Sequence, residues 1–154
     1  MRKVGIDLGT TNTVVTIKED DGIHVIEVDN SVLIPSVFYY NKVRNLRLVG
    51  KRARVRGLIH ANNYIKSTKR FMDSPQKRFT ASGENFSAED IAVEILLKVK
   101  KAIYDYLGHE EDLEAVITVP NNFSFPPVAI TSYSCPSYLI TAISNVPPPK
   151  SQTK

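Results

Sequence analysis

Apolar and polar positions along the chain divide it into short strands followed by one long helix. Lys3 to Asp7 reads as a short buried strand, and the β-branched run Thr13 to Ile17 as a second. A turn at Asp20-Asp21-Gly22 precedes a third, His24 to Val28. Strand, turn, strand, turn, strand predicts an antiparallel meander rather than a βαβ unit. Pro35 interrupts the next run, which resumes as a strand over Ser36 to Tyr40, and Leu46 to Val49 predicts another that Gly50 ends. Lys51 to Ile59 turns weakly helical, with Ala53, Val55 and Leu58 as its apolar residues. The clearest periodicity comes later. Ile91, Ile95, Val99, Ile103 and Leu107 recur every fourth residue, Ala92 and Leu96 widen the stripe, and Ser87 stands three residues before Asp90 as a capping pair. Gly108 closes this helix of about six turns. Ala115 to Val119 is a further strand, halted at Pro120.

Beyond Phe123 the pattern is lost. Residues 124–154 contain no aspartate or glutamate, are rich in Ser, Thr and Pro, and follow neither a period of two nor one of 3.6. This predicts a separate tail without order, unrelated to the rest or translated out of frame. Its apolar run 138–143 would cover an exposed sheet only by chance, and no such role is expected of it.

The 154 residues suit roughly one domain with a real core. A net charge of +4 is too small to argue for a nucleic-acid ligand. The basic stretch 42–57 has few interleaved aromatics and no groove-reading motif, so a solvated face is expected rather than a nucleic-acid patch. No apolar stretch is long enough for a membrane span. The single cysteine, Cys135, excludes an internal disulfide and suits a reducing, cytoplasmic setting. His24, His60 and His109 show no metal-ligand spacing.

Candidate chemistry sits at the first turn. In "VGIDLGTTNT" a strand runs into a bare carboxylate, Asp7, followed by Gly9, Thr10 and Thr11. A carboxylate gains little stability there but suits a magnesium ion held through water beside phosphates. Gly9 permits close backbone approach and an unusual φ, while the threonines offer hydroxyls and N–H groups to phosphate oxygens. No Gly-Lys-Ser/Thr follows, so the turn is not a Walker loop. The competing reading is an ordinary polar hairpin turn.

"GIDLGTTNTVV", "IPSVFYY", "LVG", "STKRFM" and "AVITVPNNF", in this order, closely resemble the 70-kDa heat-shock (DnaK-type) chaperone family over residues 1–123. The resemblance implies an α/β fold: the first lobe of an actin-like or sugar-kinase-like ATPase, a mixed five-stranded sheet with helices, truncated, plus a peripheral lobe over about 34–110. It implies ATP or ADP with Mg2+ as cofactors, Asp7 holding magnesium through water, and Gly9, Thr10, Thr11 and Asn12 as a phosphate loop. It further implies Lys69 on the γ-phosphate beside the attacking water, and Pro120 as a relay of nucleotide state; a surface lysine and a strand terminator are the plain alternatives. In the family the partners are unfolded peptides, J-domain co-chaperones and nucleotide-exchange factors, in a stress-responsive folding cycle. The family's second phosphate loop, adenosine-binding segment and peptide-binding domain have no counterpart after "VPNNF". The expectation is therefore a chaperone ATPase-domain fragment that does not hydrolyse ATP alone. The alternative is a non-catalytic protein-interaction fragment or gene remnant.

Overall fold

The structure is a computed structural model that describes residues 2–118 and the backbone of residues 138–140. Strands β1 (Arg2–Leu8), β2 (Asn12–Glu19) and β3 (Gly22–Val25) form the expected antiparallel meander. The third strand lies earlier than expected. Gly22, at φ 147°, closes the turn tightly enough to pair directly with Glu19, and the ladder is spent by Val25. Ile26 and Val28 are buried past its end.

β4 (Ile34–Pro35) pairs with β2 beside this path. β5 (Val37–Asn41), β6 (Leu46–Val49) and β7 (Tyr64–Lys66) form a second antiparallel sheet, in the order β6-β5-β7. β8 (Phe79–Ala81) and β9 (Glu84–Phe86) make a separate hairpin. β10 (Leu113–Ile117) joins the first sheet in parallel with β1, so that sheet is mixed, as expected. β11 (Tyr138–Ile140) pairs in parallel with β10, giving the path β11-β10-β1-β2-β3. Residues 138–140 thus form a strand where the tail was expected to lack order, because β10 offers an unpaired ladder of N–H and C=O groups. The rest of the tail, with Pro120 and Cys135, lies outside the described residues.

α1 (Lys51–Ile59) falls where expected but buries different residues. Ala53 and Gly57 face inward, while Val55 and Leu58 are exposed. The reason is steric. A Cβ on Gly57 would stand 2.4 Å from the Tyr64 ring, so only the narrow side of the helix can approach β7. The exposed Arg52, Arg54 and Arg56 belong to a solvated face.

α2 (Ala88–Leu107) carries the expected capping box. Asp90 donates its backbone N–H to Ser87 Oγ at 3.1 Å, and Ser87 returns its N–H to Asp90 Oδ2 at 2.8 Å. Gly108, at φ 77°, caps the other end in the left-handed region. The stripe Ile91, Ile95, Val99 and Ile103 is buried in one cluster with Val4, Ile6, Leu8, Val15 and Ile17 of the first sheet. Phe38 and Tyr40 of β5 and Phe86 of β9 join the same cluster, so α2 is packed between the first sheet and these strands. Period-two alternation leaves the other face of β1 and β2 less covered, and Asp7 points from it.

Candidate functional site

The β1–β2 turn is built from the backbone outward. Gly9 donates its N–H to the Asp7 carbonyl at 3.0 Å, and a Cβ at Gly9 would meet the Asn12 carbonyl oxygen at 2.1 Å. The glycine is therefore required by contact within the turn. The unusual φ expected of it is not found, because Gly9 is not among the positive-φ glycines. Behind the turn, Thr13 is fully buried and its Oγ1 lies 2.9 Å from Ser36 Oγ. The Ser36 N–H donates to the Thr11 carbonyl at 2.8 Å. These bonds fasten the turn to the residue after β4.

Asp7 is exposed at the end of β1. The parallel register Ile6↔Ile117 brings Thr118 beside it, and the Thr118 hydroxyl donates to Asp7 Oδ1 at 2.6 Å. Thr118 also donates its N–H to the Ile6 carbonyl at 3.0 Å. Sequence reading missed this residue, since the contact spans 111 positions and exists only through the β1–β10 pairing. No described residue donates a hydrogen bond to Asp7 Oδ2. An exposed carboxylate with one oxygen oriented by Thr118 is a hard donor that suits a hydrated divalent cation, so the residue fits magnesium.

Lys69 lies in a 3-10 turn, Thr68–Phe71, that follows Ser67 in the left-handed region at φ 59°. Thr68 is buried and anchors the turn. Lys69 lines the same crevice as Leu8, Gly9, Thr10, Ser36 and Thr68. That crevice has about 10 Å³ of free space, room for a single water, so a phosphate group would rest at its mouth rather than inside. Partial burial pushes the Lys69 ammonium below its ordinary value of 10.5, and the charge of Asp7 pulls the other way. Lys69 is thus a half-buried cation within reach of the Asp7 charge, and an incoming anion would stabilise its charged form.

The structure brings Gly9, Thr10 and Lys69 together and sets Asp7 within electrostatic reach. Thr11 is exposed and Asn12 half-buried, and both contribute backbone oxygens to the turn's packing. No helix among the described residues is long and apolar enough to cross a membrane. Residues 3–78 match the family model described as Hsp70 protein. That span contains the whole first turn and Lys69 and stops before α2. With the mixed sheet and packed helix described above, this match is consistent with an actin-like ATPase lobe, and residues 3–78 are similar to an N-terminal segment of the Hsp70 nucleotide-binding domain.

Proposed function

We propose that this chain is the nucleotide-binding part of an Hsp70-type chaperone, in which the β1–β2 turn and Lys69 take the phosphates of Mg-ATP or Mg-ADP. The observation that carries this reading is the crevice shared by a half-buried lysine and the turn closed by Gly9, with the exposed Asp7 carboxylate within electrostatic reach of that lysine. Asp7 would hold magnesium through water, with Thr118 fixing the carboxylate's orientation. The metal, when bound, supplies positive charge against the phosphate oxygens. Thr10, Thr11 and Asn12 would offer N–H and hydroxyl donors to those oxygens. Lys69 would meet the terminal phosphate as a compact cation.

Hydrolysis needs the reacting atoms held from both sides. Residues 1–154 taken alone offer one Asp-x-Gly-Thr loop, which contacts the phosphates from one side. The expected behaviour is binding without measurable turnover. Unfolded peptides, J-domain co-chaperones and exchange factors would be partners of the chaperone cycle to which such a lobe contributes, and a cytoplasmic setting suits it. A second reading, a protein-interaction fragment, draws support from Ile23 on the edge strand β3, which is 73% exposed.

Calorimetry with Mg-ATP separates the two. Binding should be weak and saturable, and Asp7→Ala should lower affinity by at least about tenfold, or ~1.4 kcal/mol. A folded wild type that does not bind, or an Asp7→Ala variant that binds equally well, defeats the nucleotide reading and favours the protein-interaction one.

A further inference from the structure

At the opposite end of the sheet, the β2–β3 hairpin gathers one imidazole and two carboxylates. Ile17 and His24 are cross-strand partners, so their side chains stand on the same face. Glu19 lies two residues beyond Ile17 and shares that face. Asp21, in the turn, folds back over it. His24 Nε2 lies 2.8 Å from Asp21 Oδ1 and 3.7 Å from Glu19 Oε2. The three ligand atoms all lie within 4.8 Å of one another. Tyr106, in the last turn of α2, donates its hydroxyl to Glu19 Oε2 at 3.0 Å and so orients that carboxylate from outside. Arg2 takes the other side: its Nη1 is 4.0 Å from Glu19 Oε1, while its Nε is committed to Glu111 at 2.9 Å.

We propose that Glu19, Asp21 and His24 form a binding site for a borderline divalent transition metal of the zinc class. Donors around a tetrahedral zinc, at about 2.1 Å from the metal, stand roughly 3.4 Å apart. The observed separations bracket that spacing, so small side-chain rotations suffice. One imidazole nitrogen with two carboxylate oxygens leaves a fourth position for water. The imidazole disfavours magnesium and calcium, which take oxygen donors. The histidines' spacing along the chain conceals this set, because the partners of His24 are carboxylates brought in by a hairpin. A bound ion would staple the hairpin turn and, through Tyr106, tie it to the end of α2. The site is independent of the β1–β2 turn and of nucleotide binding.

The test is a Zn2+ titration of the purified, tag-free chain by calorimetry, with the thermal midpoint read in parallel. The expected result is one saturable site that raises the midpoint. His24→Ala and Asp21→Asn should each weaken binding by at least about tenfold and remove the midpoint shift. Cys135→Ser and His109→Ala should bind as the wild type does. All three ligands are at the surface or partly exposed, and matched circular dichroism establishes that each variant is folded. Absence of saturable binding by the folded wild type overturns the proposal. So does wild-type affinity in both His24→Ala and Asp21→Asn, or loss of the site in Cys135→Ser.

Discussion

A Cβ built on Gly9 would stand 2.1 Å from the Asn12 carbonyl oxygen, a distance that no side chain can relieve because the obstacle is backbone. Gly9→Ala must therefore open the turn that carries Asp7 and Thr10. The expected cost exceeds about 1 kcal/mol, and the denaturant midpoint should fall at unchanged slope. A midpoint equal to the wild type's would mean that the turn relaxes freely and that the glycine serves only ligand approach. At this scale the sequence singles out residues without giving the cause. Asp7 stands out by its place at the strand end and Lys69 only through the family resemblance, yet the reason Gly9 is a glycine, and the presence of Thr118 beside Asp7, depend on atoms that meet only after folding.

Among the elements, α2 was legible in full and α1 only in outline. The reason is the length of the pattern. Five apolar residues at fourfold spacing, closed by a serine at one end and a glycine at the other, leave a helix no other face to bury. Ser87→Ala should remove one half of the capping box and cost about 1 kcal/mol. The measurement is thermal unfolding, and it should be accompanied by loss of hydrogen-exchange protection confined to the first turn of α2. Protection lost evenly along the helix would place the serine's role elsewhere. In α1, by contrast, nine residues hold too few apolar positions to define a face, and the Tyr64 ring decides which side approaches the sheet. The short strands β4, β7, β8 and β9 were missed for a related reason. Each has only two or three residues, and its pairing partner rather than its own pattern makes it a strand.

Across the whole molecule, the start of the chain is tied to the segment before β10. Arg2 Nε meets Glu111 at 2.9 Å, and the Arg2 N–H donates to the Asp112 carbonyl at 3.1 Å. The hydrogen bond from Arg2 holds the Glu111 carboxyl below its ordinary value of 4.5, against a smaller desolvation effect that raises it. The unfolded chain therefore takes up a proton at this position before the folded chain does. The stabilising contribution is complete above pH 4.5 and is lost as pH falls through the lower folded value. Glu111→Gln should thus be less stable than the wild type at neutral pH, and the two should converge in the acid range. Unfolding midpoints measured against pH that run parallel through that range would refute the linkage.

By itself, the sequence determined the meander, the long capped helix and the tight turn at Gly9 between the first two strands. These are local outcomes, set by side-chain periodicity, turn chemistry and capping within a few residues. Only the tertiary structure decided that β1 takes β10 as a parallel neighbour, which brings Thr118 to Asp7. It alone decided that the turn carrying Lys69 packs into the crevice beside Gly9, and that Tyr106 of α2 reaches Glu19 of the β2–β3 hairpin. Each of those contacts joins segments whose separation along the chain carries no periodic signal, and each is fixed by the burial of the shared core around α2.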